Sequence, residues 1–338
     1  MKRIITISIL GLLLLSACTK NRFLSTERIA PISLTANFGD AATKATITNA
    51  NIINEKIRVQ VSKSNGTASY ATEGSKYTLT YDNLVTFTWS LSSMLYLSAE
   101  NAKVYAYAPT PSDPSTVETG EYNTLKRILD IPATQDMVDQ VDFLWCYQEK
   151  TQNVGGTDIN STTPSVNLTM KHALSQVAFV IYGENYNGTG AINSVKIKDN
   201  SGSPGLKKMK SGSNDLYMNV ANGLITGGEP VSEISATSIS GSILTTQPSV
   251  VDLEQLKLKV NGYLLLVPVT ISAKNKIQFT FNIDNKNYNV SLIGEDPMEF
   301  AAGQQYIYTV KLSGTQMNII SVAVTPWSSS HEGEVVIN

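Results

Sequence analysis

The chain has 338 residues, a formal net charge of −2 and only 16% charged residues, so no basic stripe marks nucleic acid as a partner. Two cysteines and two histidines leave few ways to build a metal site or to pair a nucleophile with a histidine base. The length suffices for two domains with separate cores, and the many Thr, Ser, Asn, Val and Ile residues favour strands and turns.

Lys2 and Arg3 precede an apolar run from Ile4 that closes on Leu15-Ser16-Ala17-Cys18. A charged start, a short apolar stretch and small residues before the cut make a secretory signal, and the run is short for a bilayer span. The cysteine makes it a lipobox: residues 1–17 read as the signal peptide, and Cys18 as the acylated first residue of an exported lipoprotein. Residues 18–28 read as a tether.

Strand signals then begin. Ile32, Leu34 and Ala36 alternate with polar residues, the loop Phe38 to Lys44 follows, and a second alternating run passes through Ile57, Val59 and Val61. Tyr77 to Tyr81, Val85 to Trp89 and Lys103 to Tyr107 repeat the pattern with aromatics at period two, as a sandwich face requires. Gln135 to Val141 reads as one or two helical turns. Cys146 lies in an apolar run and reads as a buried structural thiol, since Cys18 is committed to lipid.

The polar stretch Lys150 to Thr163 has no hydrophobic period and places a domain boundary at 160/161, dividing residues 29–160 from 161–338. Strand patterns restart at Val166 and Val177, continue through Ile192 to Ile197, and recur at Leu256 to Val260, Tyr263 to Ile271, Ile277 to Ile283, Tyr288 to Ile293 and Gln305 to Leu312. Pro268 cannot donate to a ladder, so its strand is expected at an edge or with a bulge. Ile319 to Trp327 and Val335 to Asn338 are strand-like almost to the last residue.

No HExxH, phosphate loop or GxSxG occurs, and the acidic residues are scattered in loops, so no catalytic residue, metal ligand or cofactor is expected. His172 reads as a half-buried residue with a backbone partner. Most tyrosines and tryptophans sit at strand period and read as core rather than as a sugar-stacking platform.

Three segments together resemble the fimbrillin-like family of Bacteroidales pilins and pilus-associated lipoproteins: Lys171 to Phe179, Ala302 to Leu312, and Val324-Thr325-Pro326-Trp327. With the lipobox and Thr43-Lys44-Ala45-Thr46 they keep the family's order over nearly the whole chain. The resemblance implies an all-β chain of two tandem transthyretin-like β-sandwich domains and a subunit of a cell-surface fimbrium, delivered as an outer-membrane lipoprotein. It implies assembly with other pilin subunits by strand exchange, after a trypsin-like cut that releases the first strand. Carried onto this chain, the cut falls between Lys44 and Ala45, where the best-known pattern has arginine. The donor strand falls within Ile319, Val322, Val324, Trp327, Val335 and Ile337, interrupted by polar Ser328 to Gly333. The alternative is a monomeric surface lipoprotein that binds glycan or a host protein. Either role leaves room for a host or bacterial surface ligand.

Overall fold

A computed structural model of the chain describes residues 28–37, 56–70, 76–83, 88–151, 156–209, 215–239 and 241–327. Its architecture follows from two strands that are buried on both faces. Ala102–Ala108 sends Val104, Ala106 and Ala108 to one side and Tyr105 and Tyr107 to the other, each at most 1% exposed. Ser175–Glu184 does the same with Val177, Phe179 and Ile181 against Ala178 and Val180. Successive strand residues point to opposite faces, so each of these strands must lie between two apolar layers.

The first lies inside a six-stranded antiparallel sheet ordered Lys171–His172, Leu144–Gln148, Ala102–Ala108, Lys56–Lys63, Lys76–Asn83, Thr88–Leu91. Its inner face is covered by a parallel pair, Ser33–Asn37 with Ser165–Thr169. Ile32, Leu34, Val166, Leu168 and Met170 thereby join Ile57, Val59 and Val104 in one core.

The second lies in a four-stranded sheet ordered Gly262–Leu266, Ser175–Glu184, Gln304–Ser313, Gln316–Pro326, its middle pair parallel. It shares a core with a five-stranded sheet ordered Thr134–Asp136, Glu233–Thr237, Ile192–Asp199, Ile277–Ile283, Lys286–Ser291. Phe179 meets Phe279 and Phe281 edge-on there at 5.0 Å. Burial of one such ring is worth roughly 1.5–3 kcal/mol.

Between the two sandwiches runs a third apolar layer, where Tyr105, Tyr107 and Phe143 meet Val180, Tyr263, Leu265 and Ile307. A small sheet contributes to it, ordered Ile225–Gly227, Leu216–Asn219, Lys126–Ile128, Glu118–Thr119. The period-two tyrosines of the first half are therefore core residues, but of this shared layer.

Strands cross the expected 160/161 division in both directions. Ser165–Thr169 packs in the first core, while Thr134–Asp136 adds in parallel to Glu233–Thr237 of the second sandwich. The latter also overturns the helical expectation for Gln135 to Val141. The Gln135 side chain bonds the backbone of Leu265, and Asp136 turns the chain by accepting from the Val138 N–H at 3.0 Å. Leu256 to Val260 is likewise not a strand: Asp252 accepts from the Gln255 N–H at 3.0 Å and caps the short helix Leu253–Lys257. Pro268 falls just after Gly262–Leu266, an edge strand, as its missing N–H demands.

Candidate functional site

The site is built from the two ends of the described fold. At the first, Ser33–Asn37 runs in register from Ser33 opposite Ser165 to Asn37 opposite Thr169. The Ser33 N–H donates to Pro164 O at 3.0 Å, the Met170 N–H to Asn37 O at 2.9 Å, and the Ile32 N–H to Leu95 O at 2.8 Å. Ser33, Thr35 and Asn37 are exposed, and only Ile32 and Leu34 anchor the segment in the core. Five residues with two buried anchors make a lid that is small beside the core it closes.

At the other end, Gln316–Pro326 pairs with Gln304–Ser313 over its whole length, with a bulge between Thr309 and Val310 that leaves Ile320 unpaired. Val322 and Val324 lie opposite Tyr308 and Tyr306. Those tyrosines are buried, yet Val322 is 49% and Val324 55% exposed, because this strand is the sheet's edge. Trp327, 4% exposed, then fixes the chain. Its N–H donates to Gly303 O at 2.8 Å, and the Gly303 N–H donates to Leu174 O at 2.8 Å. A φ of +66° at residue 303 makes glycine the fitting residue for this turn.

The Trp327 indole stacks on His172 at 4.1 Å, and His172 Nδ1 lies 2.7 Å from Asp142 Oδ2. His172 is thus buried, and its partner is a carboxylate, not the expected backbone group. Sequence reasoning missed Asp142. It stands 30 residues from His172 and carries no local motif, although a buried acid beside an apolar run is the trace it leaves.

Of the sequence-derived site residues, Ile319, Val322, Val324 and Trp327 are brought together in this edge strand and its anchor. Cys18, Lys44, Ala45, Val335 and Ile337 lie outside the described residues. Cys146 is 2% exposed, and burial pushes its thiol up to about 12, which suits a structural cysteine and no nucleophile. The buried carboxylate of Glu118 is taken by Arg58 Nε at 2.6 Å and the Tyr107 hydroxyl at 2.8 Å. Among the described residues no group of three or more His, Cys, Asp or Glu is placed to hold a metal ion, and no helix is long and apolar enough to cross a membrane. A cleft of about 250 Å³ bounded by Ile131, Gln135, Gln140 and Leu265 has no aromatic side chain in its lining, so it offers no stacking face for a sugar.

The three segments that carried the resemblance converge. Lys171 to Phe179, Ala302 to Leu312 and Val324 to Trp327 supply three neighbouring strands of one sheet and the His172–Trp327 stack that closes it. A profile described as fimbrillin-like matches residues 43–327. The chain belongs to the fimbrillin-like family. No curated protein matches the chain. Among solved structures it is similar to a candidate cell adhesion protein from Bacteroides uniformis, at 14% identity and a TM-score of 0.55, covering 88% of this chain and 99% of that one. A second from Bacteroides ovatus gives 14%, 0.55, 89% and 99%. A fimbrial protein from Bacteroides vulgatus gives 12%, 0.54, 88% and 99%. At such identities the likeness establishes the all-β fimbrial fold, and the family match makes the chain fimbria-associated.

Proposed function

We propose that this fimbrillin-like chain is a structural or accessory subunit of a cell-surface pilus, without enzymatic activity, assembled by strand exchange. In this reading residues 1–17 are removed on export, acylated Cys18 holds the precursor to the outer membrane through the 18–28 tether, and two tandem sandwiches follow. A trypsin-like protease cuts after Lys44 and leaves Ala45 as the new N-terminus. Its partners are other pilin subunits.

The observation that carries the reading is the construction of the first strand. Ser33–Asn37 is a short parallel strand lying over the first core and immediately precedes the segment with Lys44. Loss of Ile32 and Leu34 would bare apolar surface and the open side of Ser165–Thr169, and a donated strand would restore both ladder and burial. The donor is the chain following Trp327, with Val335 and Ile337, because Ile319, Val322 and Val324 are already committed to their own sheet.

Limited proteolysis of the precursor with a trypsin-like enzyme tests this. A fragment beginning at Ala45 by N-terminal sequencing, followed by oligomers on size exclusion, is the expected result. Oligomers formed equally well by Lys44→Ala, with no such fragment, refute the processing step.

A further inference from the structure

The two edges of the four-stranded sheet are treated differently. On the Gly262–Leu266 edge the Gln135 amide takes the place of a neighbouring strand: its Nε2 donates to Leu265 O at 2.6 Å and its Oε1 accepts from the Leu265 N–H at 3.0 Å. Such capping is how a protein blunts an edge that would otherwise template pairing. The Gln316–Pro326 edge has no strand paired to its outer side among the described residues, and Ile320, Val322 and Val324 are 42%, 49% and 55% exposed along it.

We propose that this edge is closed in the free subunit by the chain's own tail, with residues 334–338 adding as an antiparallel fifth strand. The tail follows Trp327, whose buried indole fixes its starting point beside that edge. Neighbouring strands lie about 4.8 Å apart, a gap that a loop of six residues crosses easily. A loop of Trp327 to Glu332 places Gly333 opposite Pro326, Val335 opposite Val324 and Ile337 opposite Val322. The alternate apolar residues of the tail then meet the half-exposed valines, and Glu334 and Val336 fall beside Thr325 and Ala323 on the opposite face. Pro326, which has no N–H to offer, stands where the ladder ends.

A second copy presents the same edge, but tethering favours the tail. A segment joined through so short a loop is present at an effective concentration of about millimolar, above that of any partner at micromolar concentration. The consequence for assembly rests on the proposed pilus role: a donor paired in cis must leave its own edge before it enters a neighbour, so docking holds back premature polymerisation.

The test is a cross-strand disulfide in the full chain carrying Cys18→Ser, so that buried Cys146 is the only native thiol. Val322→Cys with Ile337→Cys at micromolar concentration is expected to oxidise to a disulfide-closed monomer on non-reducing gels, whereas Val322→Cys with Val336→Cys, out of register, closes at least about tenfold more slowly. Hydrogen exchange supplies a second measurement. Amides of Gln316–Pro326 are expected to exchange about tenfold faster when the chain stops after Trp327. A covalent dimer in place of the closed monomer assigns the edge to a second copy and overturns the proposal. Equal closure of both pairs, or unchanged exchange after truncation, also overturns it. None of these readouts involves Lys44, so failure here and failure of the processing step are separable.

Discussion

The first and last strands of the described fold meet opposite demands. Ser33–Asn37 is five residues long, pairs in parallel with one partner and is anchored by Ile32 and Leu34. Gln316–Pro326 is eleven residues long, pairs antiparallel along its length and ends on a buried tryptophan stacked against a histidine. Both help to close a core, but only the second is locked. The difference teaches which element can leave: the short strand detaches at small cost, whereas freeing the long one means dismantling a sheet.

Cys146 gives the largest signal for breaking that comparison, because it lies in the core that Leu34 helps to cover. In the intact chain its thiol, pushed up to about 12 by burial, is expected to resist labelling at neutral pH. Once cleavage releases the first strand, labelling should accelerate by about a thousandfold as the thiol returns toward its ordinary value of 9.0. An unchanged rate after cleavage means that the first strand stays in place, and the two ends are then equally fixed.

Trp327→Ala comes next, with a loss of about 3–5 kcal/mol in urea unfolding, typical of deleting a buried aromatic. It removes the His172 stack and leaves the Asp142–His172 pair beside a cavity. Leu34→Ala should cost about 2–3 kcal/mol, the lower part of the range for a buried leucine, since its strand is short and outlying. Hydrogen exchange separates the two: Leu34→Ala should speed exchange around residues 33–37 alone, and Trp327→Ala throughout the second sandwich. Global loosening by both would erase the distinction.

Period-two alternation made the strand class legible along most of the chain, because each strand has at least one buried face. The pattern does not say which core a face joins. Tyr105 and Tyr107 read as ordinary sandwich core and instead line the layer between the sandwiches. Thr134–Asp136 was illegible as a strand because it is three residues long and held by a parallel partner about 100 residues away. Leu253–Lys257 was hidden for a different reason: its helix depends on the cap at Asp252, while its apolar residues also suit a strand. In the candidate site, Trp327 was visible as the end of a strand-like run. Its His172–Asp142 support was not, since both contacts are formed by distant chain segments.

The smallest expected effect distinguishes the two ends by acid. Asp284 and Asn285 form the turn between Ile277–Ile283 and Lys286–Ser291, both with positive φ, as a tight hairpin turn requires. The Asp284 carboxylate accepts from the Thr189 hydroxyl, from the Gly190 and Ala191 N–H groups at 2.9 Å, and from the Tyr186 hydroxyl at 2.7 Å. Led by the Thr189 bond, these donors hold its carboxyl well below the ordinary value of 3.8. A depressed carboxyl contributes stability above its unfolded value and loses it as pH falls further through the folded one. Thermal unfolding of the chain should therefore lose this contribution progressively below about pH 4, and Asp284→Asn, which cannot ionise, should lose less over the same interval. The effect is modest because the turn is solvated. Ser33–Asn37 carries no acidic side chain, so acid should loosen the hairpin of the second sandwich while exchange at residues 33–37 stays unchanged. Equal acid sensitivity at both places would show that the two sandwiches open together, and the short strand would then have no independent exit.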